Sequence, residues 1–143
     1  MGILGTRSLP TSDGTVRPAV LLVDDDPTTR AVMVGLIRHL GYVADAVGNG
    51  KGAVDAIRGG GYGILLLDIH MPGIDGFETA RQVRALGEAV KQPRIVALTG
   101  QRESGTREKC LAAGMDDYLL KPVAQEALER ALDRARGTAG SGA

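Results

Sequence analysis

The chain has no tryptophan, one phenylalanine and three tyrosines. It therefore offers few aromatic faces on which unpaired bases could stack. It also lacks a charge of either sign: seventeen basic residues cancel seventeen acidic ones, and the isoelectric point is about 6.7. No overall field attracts nucleic acid or an anionic membrane surface. Cysteine is limited to Cys110, which excludes an internal disulfide and any cysteine-based metal spacing and fits a reducing compartment. No apolar run approaches the roughly 20 residues of a membrane helix. The apolar residues near the N-terminus are broken by Gly5, Arg7 and Pro10, unlike a secretory signal. These absences predict a soluble, cytoplasmic domain with no direct nucleic-acid partner and no membrane insertion. At 143 residues, one domain can bury its core without staples.

Glycine is abundant, and it concentrates with Ser, Thr and Pro at the two ends. Residues 1–18 read as a flexible leader or linker and residues 137–143 as a flexible tail. The body is 19–136. Within it, apolar runs alternate with helical patterns. Strands are expected at about 19–24, 42–46, 64–68, 94–98 and 117–120. Helices are expected from Pro27 to Gly41, near 50–58, at 77–86, at 105–113 and at 123–136. Val32, Leu36, Ile37 and Leu40 give the first helix its apolar spacing. Strand–helix alternation predicts an α/β fold, a parallel sheet with helices on both faces.

Four of the strands finish on a reactive or charged residue. Ala19–Val23 runs into Asp24-Asp25-Asp26, Ile64–Leu67 into Asp68, Ile95–Leu98 into Thr99, and Tyr118–Leu120 into Lys121-Pro122. Parallel strands put these ends at one edge, where α/β sheets bind ligands. Carboxylates gathered there raise each other's pKa unless a cation lies among them. An oxygen-only donor set with room for water suits Mg²⁺, and Mn²⁺ could substitute. A carboxylate, a divalent cation, a lysine and a hydroxyl are the parts needed to receive a phosphoryl group, with Asp68 the natural nucleophile. Asp26 before Pro27 reads instead as a helix cap, and Asp75 with Glu78 as a capping box. Met71, Met115 and Cys110 read as packing residues, Asp116 and Asp117 as exposed polar groups, and His39 as a helix-end cation.

These residues resemble the receiver domain of two-component response regulators, over nearly all of 19–136. Val23-Asp24-Asp25-Asp26-Pro27 with Arg30 is similar to that family's acidic pair. Leu67-Asp68-Ile69-His70-Met71-Pro72-Gly73 is similar to its phosphoacceptor segment, Ala97-Leu98-Thr99 to its switch threonine, and Asp117-Tyr118-Leu119-Leu120-Lys121-Pro122 to its lysine–proline segment. The resemblance implies a doubly wound, flavodoxin-like five-stranded sheet of order 2-1-3-4-5, whose winding reverses between strands 1 and 3.

It further implies that a histidine kinase or a histidine phosphotransfer protein phosphorylates Asp68. Asp25, Asp68 and the His70 backbone carbonyl would ligate Mg²⁺, with Asp24 acting mostly through water. Lys121 would pair with the phosphoryl oxygens and precede a cis proline. Thr99 would turn inward and Tyr118 follow it, biasing a face made of helix 4, strand 5 and helix 5, through which two copies could pair. Gly100, in place of the family's more usual Ala, would widen access, and His70 with Gln101 would set the lifetime of the phosphoryl group. Such a domain is a signalling module, not a conventional enzyme, with intrinsic Mg²⁺-dependent autophosphorylation and autodephosphorylation. The stretch Arg107–Tyr118 resembles receivers fused to hybrid sensor histidine kinases.

Two rival readings fit less. Asp24-x-Asp26-x-Thr28 matches the nucleophile motif of haloacid-dehalogenase-like phosphatases, but Asp68 is then unexplained and no acidic pair ends a strand after Lys121. A flavin or nucleotide carrier lacks a glycine-rich phosphate loop after strand 1.

Overall fold

In the computed structural model, residues 9–10, 16–71, 73–100 and 105–141 are described. Five strands form one sheet: β1 (Val20–Val23), β2 (Ala44–Val47), β3 (Ile64–Asp68), β4 (Arg94–Thr99) and β5 (Asp117–Leu120). Five helices connect and follow them: α1 (Pro27–His39), α2 (Gly50–Gly59), α3 (Gly76–Ala85), α4 (Thr106–Ala112) and α5 (Gln125–Ser141). Every pairing in the sheet is parallel and the order is β2-β1-β3-β4-β5, as the resemblance implies. Inside the segment expected as a leader, Leu9–Pro10 pairs antiparallel with Val16–Arg17.

Alternation along the strands explains the layers. Leu21, Val23, Leu65, Leu67, Ile95 and Ala97 face one side and pack with Ala53, Val54 and Ile57 of α2, Ala80 and Val83 of α3, and Cys110 of α4. Val20, Leu22, Ile64, Leu66, Val96 and Leu98 face the other, against Met33 and Ile37 of α1 and Leu128 and Leu132 of α5. Strands β1 and β3 are buried along their whole length, so up to Asp68 at the end of β3 they carry apolar residues at every position and not at every second one.

Local chemistry sets the helix starts. The Asp26 carboxylate accepts from Thr28 N at 3.2 Å and from the Thr29 hydroxyl at 2.7 Å, with Pro27 as the first helical residue. Asn49 caps α2 by accepting from Gly52 N at 2.7 Å. Asp75 caps α3 by accepting from Glu78 N at 2.9 Å. Only that half of the expected capping box forms among the described contacts, because the Glu78 carboxylate is taken by Arg81 Nε and Gln82 Nε2, both at 3.1 Å.

Three expectations are corrected in detail. The buried stripe of α1 is Met33 and Ile37, while Val32 is 63% exposed; Val32 and Leu36 belong to a neighbouring stripe on a surface groove. Helix α5 continues past Arg136 to Ser141, since nothing in Gly137–Ser141 forces a stop as proline would. Asp116 and Asp117 are not free polar groups but ion-pair partners of Arg84 and Arg134, at 2.9 and 2.6 Å. Among the described residues, no helix is long and apolar enough to cross a membrane.

Candidate functional site

The parallel register delivers four strand ends to one edge of the sheet. Val23 pairs with Leu67, Asp68 with Leu98, and Thr99 with Leu120. The next residues along, Asp24 after β1 and Lys121 after β5, therefore flank Asp68 and Thr99. Lys121 N donates to Thr99 O at 2.7 Å, which closes the sheet at this edge, and the Lys121–Pro122 peptide is cis as expected.

Lys121 Nζ bridges two carboxylates, donating to Asp24 Oδ2 at 2.9 Å and to Asp68 Oδ2 at 3.1 Å. Backbone groups hold the other oxygens. Asp24 Oδ1 accepts from Asp26 N at 2.9 Å, and Asp68 Oδ1 accepts from His70 N at 3.0 Å. Both side chains are almost wholly buried, so each is aimed by two hydrogen bonds with little freedom to turn. Arg30 Nη1 donates to the Asp24 carbonyl at 2.8 Å and ties α1 to the end of β1.

Asp25 is exposed and completes a triad. One oxygen from each of Asp24, Asp25 and Asp68 lies within 4.8 Å of the others. Among the described residues Lys121 is the cation in ion-pair contact with this triad. One ammonium against three carboxylates leaves two negative charges uncompensated, and the donor atoms are all oxygen. That charge and that donor type fit a hard divalent cation. Burial pushes the Lys121 ammonium toward lower pKa. The hydrogen bonds and charges of Asp24 and Asp68 outweigh this and hold it above the ordinary lysine value.

The remaining residues singled out from the sequence fall around this centre. Thr99 is fully buried at the end of β4, and His70 is exposed just beyond Asp68. Gly100 is exposed, and a Cβ added there would meet nothing within 4 Å, so its backbone does not require glycine. Tyr118 stands on β5 with 38% of its surface exposed. Asp26 is spent on capping α1; the Thr29 hydroxyl and the Thr28 amide hold its carboxyl below the usual range. Gln101 and Pro72 lie outside the described residues. Met71, Met115 and Cys110 are buried as packing residues, with burial raising the Cys110 thiol pKa, and His39 is exposed in the last turn of α1.

Beside Lys121 lies a feature the sequence did not announce. Thr28, Val32, Leu36, Leu98, Pro122 and Val123 line an open, apolar groove of about 460 Å³ between α1 and the loop after β5. Its trace in the sequence is the pair Val32 and Leu36, apolar residues each one step off the buried stripe of α1.

Residues 20–133 match the model of the response regulator receiver domain. The sensor protein GacS of Pseudomonas syringae is 34% identical over 124 residues, which cover 85% of this chain and 14% of that protein. The chain thus spans about a seventh of the length of this curated relative. Among solved structures, the receiver domain of the sensor histidine kinase PA1611 from Pseudomonas aeruginosa is 37% identical. It superposes with a TM-score of 0.76 over 85% of this chain and 98% of its own, and it has a magnesium ion coordinated in its active site cleft. The receiver domain of the Saccharomyces cerevisiae response regulator Ssk1, solved with the histidine phosphotransfer protein Ypd1, is 27% identical with a TM-score of 0.80. That match covers 85% of this chain and 90% of the other.

Proposed function

The chain belongs to the response regulator receiver family, a signalling module of two-component phosphorelays, and from that premise we propose that Asp68 is its phosphoacceptor. An Asp68 oxygen attacks the phosphorus of a partner's phosphohistidine in line. The N–P bond breaks, and its electron pair stays on the imidazole nitrogen. Hydrolysis later cleaves the new O–P bond by attack of water on phosphorus, which gives the domain its intrinsic autophosphatase activity. The single observation that carries this reading is the Lys121 ammonium, hydrogen-bonded at once to Asp68 and Asp24 beside a third carboxylate.

Asp25 and Asp68, with the His70 carbonyl and with Asp24 acting through water, would hold magnesium, or manganese by the same donor preference. When bound, the ion supplies positive charge against the phosphoryl oxygens. Lys121 leaves Asp68 to pair with the incoming phosphoryl oxygens, because a doubly charged phosphoryl group is the stronger partner. The buried Thr99 hydroxyl turns to donate to it, and Tyr118 swings from its exposed position into the space behind. Gly100 and His70 border the site, Gly100 widens access to it, and His70 with Gln101 sets the lifetime of the phosphoryl group.

The phosphodonor is a histidine kinase or a histidine phosphotransfer protein. The apolar groove beside Lys121 gives such a partner a footing next to the reacting atoms. The face of α4, β5 and α5, where Leu111 and Tyr118 are exposed, is the output surface, for a target or for a second copy. Origin in a cytoplasmic part of a hybrid sensor kinase accords with the similarity to GacS.

Incubation with acetyl phosphate and Mg²⁺ tests the assignment, with intact mass as readout. Wild type gains one phosphoryl group, and Asp68→Asn gains none. Labelling that survives in Asp68→Asn and disappears in Asp24→Asn would instead favour the phosphatase-like reading.

A further inference from the structure

The site occupies one end of the α4–β5 unit; the other end is held by a residue of α3. Arg84, in the last turn of α3, spends its planar guanidinium on four acceptors. Nε donates to Gly114 O at 2.8 Å, Nη1 to Gln92 Oε1 and Pro93 O at 2.8 Å each, and Nη2 to Asp116 Oδ2 at 2.9 Å. The same Asp116 oxygen accepts from Ile95 N at 2.8 Å, while Asp116 N donates back to Ile95 O at 2.8 Å. Asp116 therefore clasps both backbone groups of Ile95 and fixes where β5 begins against β4. Gly114 lies against the stem of Arg84: a Cβ there would stand 2.7 Å from Arg84 Cγ, and its φ is +95°. The end of α4 is sealed as well, with Met115 N donating to Cys110 O at 2.9 Å and Cys110, Ala113 and Met115 buried.

Among the described residues, the opposite end of α4 shows none of this. Its N-cap, Gly105, has φ +91° and provides no side-chain cap, and Arg107, Glu108 and Lys109 are exposed. One helix thus has a knotted end remote from Thr99 and a loosely held start. Local stability differs accordingly along it.

We infer that Arg84 makes Ala113–Asp116 a fixed pivot, so that a rearrangement at Thr99 and Lys121 tilts the first turns of α4 while the start of β5 stays in place. This rests on the reading that Asp68 accepts a phosphoryl group. Four acceptors at fixed angles require the guanidinium fork, and a lysine's single point charge cannot span them.

Residue-resolved amide exchange on the full chain, with and without acetyl phosphate and Mg²⁺, tests the pivot. In wild type the amides of Arg107–Cys110 change exchange rate about tenfold on phosphorylation, whereas those of Ile95 and Asp116 change less than about twofold. In Arg84→Met the Ile95 and Asp116 amides join the response, with an exchange increase of about tenfold. Asp116→Asn keeps an oxygen for Ile95 N and removes the charge facing Arg84; a smaller increase at the same two amides is expected, and it decides the matter if Arg84→Met does not fold. The pivot is overturned if Ile95 and Asp116 respond in phosphorylated wild type, or if they stay protected in the variants that fold. Absence of an added phosphoryl mass in wild type overturns the phosphoacceptor reading along with it; normal phosphorylation with a mobile Ile95 overturns the pivot alone.

Discussion

Strand β5 has an ion-pair cluster at each end, and the two are balanced in opposite ways. At its start one carboxylate, Asp116, faces Arg84 and, at 3.5 Å, Arg94, and the Arg84 donors have matched acceptors. At its finish one ammonium, Lys121, serves two carboxylates while a third lies within 4.8 Å. The first cluster carries no negative charge in excess: its guanidiniums outnumber its carboxylate, and Arg94 Nε is its one buried polar side-chain atom without a hydrogen-bond partner among the described residues. The second keeps an excess of negative charge that folding alone leaves in place. Donors met by fixed acceptors, as around Arg84, mark a part built to stay put, and surplus negative charge marks a part built to receive a cation.

Breaking the matched cluster has the largest expected effect. Arg84→Met leaves the half-buried Asp116 short of its main partner and costs about 3 kcal/mol in urea unfolding. A loss near zero would mean the knot is ornamental. The surplus cluster responds to ligand instead: Mg²⁺ at a hundredfold excess over its Kd raises unfolding free energy by about 2.7 kcal/mol. Calorimetry with and without a chelator reads this, and no Mg²⁺-dependent shift would contradict the charge argument. Asp25→Asn sharpens the contrast through its sign. In the absence of divalent ions it relieves like-charge crowding and raises Tm by about 1–3 °C. With Mg²⁺ present it lowers Tm relative to wild type, because one carboxylate of the triad proposed to hold the ion is gone.

Smallest at neutral pH is the titration of Lys121. Its folded pKa stands above the ordinary value, so its contribution is complete below about pH 10 and fades as pH climbs through the folded value. The stability gap between wild type and Lys121→Met should therefore hold steady from pH 7 to about 10 and narrow above. A gap that widens at high pH would show the ammonium to be unfavourable where it sits.

The site was legible because each of its parts terminates an apolar run: Asp24, Asp68, Thr99 and Lys121 could be read off without knowing which strands touch. The order of the strands came from family resemblance, since parallel pairing leaves no local trace. From the sequence Asp116 reads as exposed because its partner Arg84 sits 32 residues away, and no periodicity links a helix end to a loop. Val32 reads as a core residue for a subtler reason. Two adjacent apolar stripes on α1 both satisfy helical spacing, and only the position of β4 and Pro122 decides which is covered. Glu78 shows the limit of a motif: the spacing for a reciprocal cap was present, but Arg81 and Gln82 compete for the carboxylate on the same helical face.

Strand β5 is an outermost rail of the sheet, with β4 as its one strand partner. Lys121, touching the acidic centre, and Tyr118, looking out from the surface, stand three positions apart at that rail. News of events in the interior therefore has almost no distance to travel, and it crosses by an edge strand that the sheet holds from one side only.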